Sequence, residues 1–149
     1  MKRRVLFLDR DGVININHGY VHKREKFDFI PGIFALVQKA NEADYLVVVV
    51  TNQAGIGRGY YSEDEFHVLM EWVKGEFLNR GARIDAVYYS PFHPQHGRGK
   101  YKKDSDCRKP KPGMLLNAAR DFNIDLPNSI LIGDQLTDIE AGYSAGVGR

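Results

Sequence analysis

Three short apolar runs limit the folds that this chain can adopt. They are VLFL (5–8), LVVVV (46–50) and ILI (130–132), and a weaker fourth run is IDAVYY (84–89). Uninterrupted apolar runs of this length are typical of strands buried on both faces of a parallel sheet. Segments with apolar residues at helical spacing lie between and after these runs, at 33–40, 66–77, 115–122 and 138–145.

This alternation of strands and helices predicts an α/β fold: a Rossmann-like parallel sheet with helices on both faces. Two insertions interrupt the alternation. Residues 12–30 follow the first strand, and we expect them to form a small flap, as a hairpin. Residues 90–111 form a long basic loop, of a length that is usually functional or mobile. The chain has 149 residues, so we expect 1–149 to be one domain without a large cap.

The net charge of +2 is too small to indicate a nucleic-acid or membrane partner, but it is distributed unevenly. Between His96 and Lys111, seven basic side chains face two acidic ones, which makes this segment +5. It is either a solvated basic loop or a loop that faces an anion. The single cysteine, Cys107, excludes an intramolecular disulfide and favours a reducing compartment. With no membrane-spanning run or signal-peptide core, we expect a cytoplasmic protein.

Polar residues follow the ends of the three strong strands. They are Asp9, the pair Thr51 and Asn52, and Asp134. Ligands of open parallel sheets bind beyond the carboxyl ends of the strands, and neighbouring strands lie about 4.8 Å apart. If the three strands are neighbours, Asp9 and Asp134 converge and need a cation between them. Their hard oxygen donors are suited to Mg²⁺.

These side chains, together with a lysine from the basic loop, predict a phosphoryl-transfer site. Thr51 supplies a hydroxyl, and Lys109 could neutralise both an anionic nucleophile and the transferred group. Of Asp9 and Asp11, one carboxylate would attack phosphorus to give an aspartyl-phosphate. The other would protonate the leaving alcohol and then activate water.

Two acidic residues near the last strand also have structural interpretations. Asp134 could cap the following helix. Asp138 fits the first turn of that helix, where a negative charge is favourable, at least as well as it fits a ligand role. The sequence alone does not separate these interpretations.

Four motifs resemble those of the haloacid dehalogenase-like phosphatases. LFLDRDGVIN resembles the family's first motif, VVVVTNQAGIGRG the second, CRKPKPGM the third with its lysine, and ILIGDQLTDIEAG the fourth. They occur in the family's order and span nearly the whole chain. The DRDGxxN form is similar to that of the subgroup of heptose-bisphosphate and histidinol-phosphate phosphatases.

The resemblance implies a role for each matching residue. Asp9 would be the nucleophile and Asp11 the general acid and base, while Thr51 and Lys109 would bind the transferred phosphate. Mg²⁺ would be held by Asp9, Asp134 and the backbone carbonyl of Asp11. The substrate-binding residues implied by the resemblance are His18, Gly19, Tyr20, Asn52, Gln53, Arg108 and Gln135.

The chain departs from the family in the basic loop. Many members hold a structural Zn²⁺ there, and the corresponding positions in this chain are Ser90, Phe92, Ser105 and Cys107. Only one zinc-type ligand is left, so we expect the structural Zn²⁺ to be absent. Aromatic residues are candidates for packing the loop in its place: Tyr88, Tyr89, Phe92 and Tyr101.

The function implied by the resemblance is Mg²⁺-dependent hydrolysis of a phosphomonoester through an aspartyl-phosphate. The substrate would be a small phosphorylated sugar, a heptose bisphosphate that loses its 7-phosphate in lipopolysaccharide precursor synthesis. The alternatives are a histidinol-phosphate phosphatase, a polynucleotide 3′-phosphatase and a non-catalytic phosphosugar-binding module. We expect a monomer that uses neither a membrane nor a nucleic acid as a partner.

Overall fold

The computed structural model describes residues 2–149, and its centre is a four-stranded parallel sheet in the order β3-β2-β1-β4. The strands are β1 (Val5–Leu8), β2 (Leu46–Asn52), β3 (Ala86–Ser90) and β4 (Ile130–Ile132). All four apolar runs predicted as strands are strands. Leu8, the last residue of β1, is level with Val49 on one side and Ile132 on the other. The residues that follow β1 and β4 therefore emerge at the same edge of the sheet.

Helices cover both faces of this sheet, as the alternation predicts. Their bounds are α1 (Ile33–Glu42), α3 (Glu63–Asn79), α4 (Gly113–Phe122) and α5 (Leu136–Ala145), and one turn, α2 (Ala54–Gly57), follows β2. Successive side chains of β1 point to opposite faces. Leu6 and Leu8 share one core with residues of α1 and α3, whereas Val5 and Phe7 share the other with residues of α4 and α5.

The start of α3 is set by a capping box. The Ser62 hydroxyl accepts a hydrogen bond from the Glu65 amide at 3.1 Å, and the Glu65 carboxylate accepts one from the Ser62 amide at 3.0 Å. These bonds satisfy amides that have no partner within the helix. The box also fixes the positions of Tyr61 and Glu63 on either side of Ser62.

The flap at residues 12–30 is not the regular hairpin that we expected. Its ends pair only briefly: the Ile16 amide donates to the Asp28 carbonyl and the Ile30 amide to the Ile14 carbonyl, both at 2.8 Å. Between them the chain makes a single 3-10 turn at Arg24–Lys26. Val21 and Phe27 are buried in the core shared with α3, and this burial turns the chain inward where a hairpin would continue.

The basic loop runs from β3 to α4 and contains one 3-10 turn, Gly99–Tyr101. It folds back over α2, because the Arg98 amide donates to the Gly57 carbonyl at 2.8 Å. Within residues 2–149, every helix is too short or too polar to cross a membrane.

Candidate active site

A lysine from the basic loop is buried at the carboxyl edge of the sheet, and it joins three separate parts of the chain. The Lys109 ammonium donates to Asp9 Oδ1 and to the Val50 carbonyl, each at 3.0 Å, and it also pairs with Asp138. Lys109 is only 4% exposed. A buried ammonium needs anionic partners, and the end of β1 and the first turn of α5 provide them.

Three carboxylates form an acidic cluster around this lysine: Asp9, Asp134 and Asp138. Each offers an oxygen within 4.8 Å of the others. Among residues 2–149, Lys109 is the only cation that forms an ion pair with the cluster. Three carboxylates with one lysine leave an excess of negative charge, and a divalent cation with oxygen ligands would balance it.

Asp138 combines the two roles that the sequence left open, one in the first turn of α5 and one at the site. Its Oδ2 accepts a hydrogen bond from the Gln135 amide at 3.1 Å, which caps α5, and its other oxygen meets Lys109. The residue is 1% exposed and belongs to the acidic cluster. The acidic spacing of the fourth motif was the sequence signal for this position.

Gly12 allows the Asp134 carboxylate to lie directly against the backbone of the turn after β1. It has a φ of +91°, which disfavours residues with a side chain. A Cβ at Gly12 would lie 1.9 Å from Asp134 Oδ2. Because glycine has no side chain at this position, the Asp134 carboxylate can lie in the acidic cluster. The residues present therefore fit a bound metal.

Burial dominates the electrostatics of Asp9. It raises the pKa of this carboxyl from 3.8 to about 7, against the opposing effect of the Lys109 ammonium, while the Asp138 carboxylate raises it further. Asp9 Oδ1 accepts from both Lys109 and the Arg10 amide, the latter at 2.9 Å. A cation bound at the acidic cluster would favour the ionised form that a nucleophile requires.

Asp11 has a different environment, although it lies only two residues from Asp9. Its Oδ1 accepts from the buried Arg10 guanidinium at 2.8 Å and from the Asn15 amide at 3.0 Å. Its Oδ2 accepts from the Gln53 amide at 3.2 Å. The two aspartates of the DRD motif are therefore held by separate sets of donors.

A cavity of about 320 Å³ lies over this edge of the sheet. The sequence-predicted residues that line it are Asp9, Asp11, Gly19, Tyr20, Asn52, Gln53, Arg108, Lys109, Asp134 and Gln135. Lining residues that the sequence analysis did not assign to the site are Asn17, Ala54, Gly55, Tyr61, Thr137 and Asp138. They come from the flap, from the segment after β2 and from α5, whose approach depends on tertiary packing.

Two of the predicted site residues do not line the cavity. Thr51 is 1% exposed, and its hydroxyl accepts from the Gln53 amide at 2.9 Å. His18 lies on the exposed side of the flap, where its Nε2 is 2.7 Å from the Asp28 carboxylate. The neighbouring flap residues Gly19 and Tyr20 line the cavity instead.

Asn52 holds the lysine-bearing segment in place as well as lining the cavity. Its side-chain amide donates to the Lys109 carbonyl at 3.1 Å, and its side-chain carbonyl accepts from the Lys109 amide at 3.0 Å. This reciprocal pair fixes the backbone of the basic loop to the end of β2.

One carboxylate of α3 binds both the end of β3, through Tyr89, and the basic loop, through Tyr101. Glu63 accepts from the Tyr89 hydroxyl at 2.5 Å and from the Tyr101 hydroxyl at 2.6 Å. These bonds, from Tyr101 first and then Tyr89, lower the pKa of Glu63. Two of the aromatic residues proposed to pack the loop, Tyr89 and Tyr101, therefore act through their hydroxyls.

Ser105 and Cys107 stand at two of the positions where relatives bind zinc. They contact each other at 3.1 Å through Oγ and Sγ.

An acidic carboxyl edge on a parallel sheet, with a lysine buried against it, defines the class of the HAD-like hydrolases. The HAD-hydrolase-like family model matches residues 106–148, which include Lys109, Asp134 and Asp138.

The most informative relatives extend this match over nearly the whole chain. The Burkholderia mallei protein named D-glycero-alpha-D-manno-heptose-1,7-bisphosphate 7-phosphatase is 60% identical over 148 residues, which are 99% of this chain and 78% of that protein. The Vibrio cholerae serotype O1 protein named as the beta-anomer 7-phosphatase is 49% identical over 99% of this chain and 80% of its own length.

A solved structure agrees with these relatives. The D,D-heptose 1,7-bisphosphate phosphatase of B. bronchiseptica, complexed with magnesium and phosphate, superposes with a TM-score of 0.86 at 30% identity and covers 97% of this chain and 77% of its own. The chain belongs to the family of HAD-like phosphatases that these proteins represent, which confirms the resemblance inferred from the four motifs.

The raised pKa of Asp9 predicts that, in the presence of a chelator, the free energy of unfolding depends on pH. The folded protein holds a proton that the unfolded chain has already lost, so stability falls as pH rises from 3.8 towards 7. Asp9→Asn removes this titration and should raise the free energy of unfolding at pH 8 by on the order of 2 kcal/mol relative to the unmodified protein.

Urea unfolding in EDTA at pH 5 and pH 8 measures this effect, and the gain should shrink at pH 5. Asp44→Asn, on an exposed turn, is the matched control and should give no pH-dependent gain. A loss of stability in Asp9→Asn that grows with pH would contradict the assignment.

The position of Glu63 predicts that the basic loop loosens when its charge is removed. Glu63→Gln keeps the size of the side chain but replaces one acceptor oxygen with a donor, at a cost of about 2 kcal/mol for bonds to a charged group. We expect faster protease cleavage between residues 91 and 108, with α3 intact. Glu71→Gln, exposed on the same helix, should leave cleavage unchanged; equal cleavage of both variants would show that Glu63 does not hold the loop.

Proposed function

We propose that this chain is a Mg²⁺-dependent phosphatase that removes the 7-phosphate of D-glycero-D-manno-heptose 1,7-bisphosphate. The observation that carries the proposal is the burial of Lys109 between Asp9 and Asp138. Together with Asp134, these two carboxylates form the acidic cluster, which fits a divalent cation. The names of the 60% and 49% identical relatives support the substrate. Their names differ in the anomer, and we expect the α anomer to be preferred because the 60% identical relative is named for it.

The nucleophile of the proposed reaction is Asp9 Oδ2. The other oxygen, Oδ1, already accepts from Lys109 and from the Arg10 amide, whereas Oδ2 accepts no hydrogen bond from residues 2–149. A bond forms between Oδ2 and phosphorus as the bond from phosphorus to the sugar oxygen breaks. Lys109 offsets the charge of Asp9 and of the phosphoryl group throughout.

Asp11 is the residue that we propose to exchange the protons of the two half-reactions. It would donate a proton to the departing sugar oxygen and then accept one from the water that cleaves the aspartyl-phosphate. The carboxylates of Asp9 and Asp134 and the backbone carbonyl of Asp11 would hold Mg²⁺. When bound, this ion supplies positive charge that offsets the phosphate oxygens.

Residues on the flap and the basic loop would recognise the sugar and its remaining phosphate. Gly19 and Tyr20 line the cavity from one side, and Arg108, about half buried, lines it from the other. The cavity is within the range of sites for small molecules. This geometry supports Gly19 and Tyr20 as substrate contacts more than His18, whose ring faces Asp28.

Phosphate release from a panel of esters tests the reaction and the substrate together. The panel contains both heptose bisphosphate anomers, histidinol phosphate and a 3′-phosphorylated oligonucleotide, each with Mg²⁺ and with EDTA. We expect fastest release from the heptose bisphosphates, none in EDTA, and a loss of at least about 10³-fold in Asp9→Asn, since removal of a nucleophile abolishes covalent catalysis.

The controls separate the alternatives. Asp44→Asn should keep full activity, because this side chain is exposed and precedes the start of β2, at the opposite end of the strand from Asn52. Faster cleavage of histidinol phosphate, or salt-sensitive cleavage of the oligonucleotide, would replace the proposed substrate. Full activity in Asp9→Asn would refute the aspartyl-phosphate. A folded protein with no activity on any ester would favour a phosphosugar-binding module.

The proposal also covers the state of the protein, which we expect to be a monomer of one domain without a structural Zn²⁺. The contact of Glu63 with Tyr101, the Ser105–Cys107 contact and the backbone bond from Arg98 to Gly57 support a loop held by protein contacts without a metal. Elemental analysis together with light scattering of the purified protein tests this. One zinc per chain, or a mass of two chains, would contradict it.

A further inference from the structure

Tyr61 is a buried phenol that borders the active-site cavity, and no step of the proposed reaction involves it. It is 6% exposed and lines the cavity beside Gln53. Its ring stacks on His22 of the flap, with centroids 4.9 Å apart and an interplanar angle of 5°. Its hydroxyl donates to Oε1 of Gln53.

The backbone of α2 packs directly against the Tyr61 ring. A Cβ at Gly55 would lie 2.3 Å from Cε1 of Tyr61, so only glycine lets the helical turn pass so close. Ser62, the next residue, is fixed by the capping box of α3. The phenol is therefore confined by the flap on one side and by backbone on the other, and its hydroxyl has a defined direction.

This direction determines which way the Gln53 amide points. Nε2 of Gln53 donates to Thr51 Oγ1 at 2.9 Å and to Asp11 Oδ2 at 3.2 Å, and the residue is 2% exposed. In the flipped orientation, Oε1 would face the Asp11 carboxylate, and two acceptors would meet. The Tyr61 hydroxyl disfavours that state because it needs an acceptor at the other end of the amide. Burial raises the pKa of Tyr61 to about 12, so it remains a donor.

The same contacts distinguish the two oxygens of Asp11. Oδ1 accepts from two donors, the Arg10 guanidinium and the Asn15 amide, which leaves little room for a proton. Oδ2 accepts only from Gln53 among residues 2–149. Oδ2 is thus the oxygen that can carry the transferred proton.

We propose that Tyr61 is a positioning residue for proton transfer: through the Gln53 amide, it holds Asp11 Oδ2 in the orientation from which the leaving group is protonated. The proton moves from Oδ2 to the sugar oxygen as the bond from phosphorus to that oxygen breaks and the bond from Asp9 Oδ2 to phosphorus forms. This inference rests on the proposed role of Asp11 as general acid and base. It makes leaving-group protonation depend on a residue that contacts the flap.

The test compares two leaving groups in Tyr61→Phe, which keeps the stacked ring and removes only the hydroxyl. A sugar oxygen needs a proton to leave, whereas p-nitrophenolate leaves without one. We expect kcat/KM, which reports the step that forms the aspartyl-phosphate, to fall about 30-fold on the heptose bisphosphate and less than about 3-fold on p-nitrophenyl phosphate, since general acid catalysis supplies about 10² to 10⁴. Tyr143→Phe, exposed on α5, should leave both rates unchanged.

A second variant keeps the test decisive if Tyr61→Phe folds poorly. Gln53→Met has a similar shape without the amide and should show the same selective loss, and adding Tyr61→Phe to it should cost nothing more, because both act through one contact. An equal loss on both substrates or additive losses would overturn the inference.

Asp11→Asn distinguishes this failure from failure of the proposed function. If Asp11→Asn loses activity selectively on the sugar phosphate and Tyr61→Phe does not, only the role of Tyr61 is refuted. If kcat/KM of Asp11→Asn, which reports the step that forms the aspartyl-phosphate, shows no dependence on the leaving group, the assignment of Asp11 as general acid is wrong.

Discussion

The burial of one ammonium group determines how the rest of this structure must be arranged. Lys109 lies inside the protein, and an unpaired charge there would be strongly destabilising. Its partners, Asp9 and Asp138, come from the end of β1 and the first turn of α5. Asn52 fixes the lysine backbone to the end of β2. Two strand ends, a helix start and a long loop therefore have to meet at one point, and the same ion pairs that satisfy the lysine place a cation beside Asp9, the proposed nucleophile.

The neighbours of the two aspartates in the DRD motif give them different environments, which suit the different tasks that we propose for them. Asp9 is buried next to Lys109 in an acidic cluster, where a carboxylate gains from any further cation. Asp11 is surrounded by neutral and cationic donors and leaves one oxygen with a single partner. Environments that differ over such a short distance are how one site runs nucleophilic and acid-base chemistry together. Gln53 is the residue that connects Asp11 to the buried phenol of Tyr61, and through its ring to the flap.

Much of this arrangement could be predicted from local patterns. The apolar runs predict the strands, and level strand ends explain why Asp9 and Asp134 lie in one acidic cluster. Predictions were less accurate where a side chain could reach more than one partner. In the sequence, Asp138 fits the first turn of a helix at least as well as a ligand role, and in the structure one oxygen contacts the start of α5 and the other contacts Lys109. Thr51 stands at a strand end as predicted, yet its hydroxyl is occupied by Gln53 and does not line the cavity. The path of the flap is determined by its buried apolar side chains, Val21 and Phe27, more than by the hairpin pairing that we expected.

The sequence by itself determined the parallel sheet, the helices on both faces and the residue types at the catalytic edge. Those features depend on periodicity and on strand direction, which are local properties of the chain. Only the tertiary structure decided which donors reach each carboxylate oxygen, that Glu63 contacts the basic loop through Tyr101, and that the Tyr61 hydroxyl donates to Gln53. The contacts of Lys109 and of Glu63 join segments that are distant in sequence, and the direction of the Tyr61 ring depends on how the flap and α3 pack together, which no local pattern encodes.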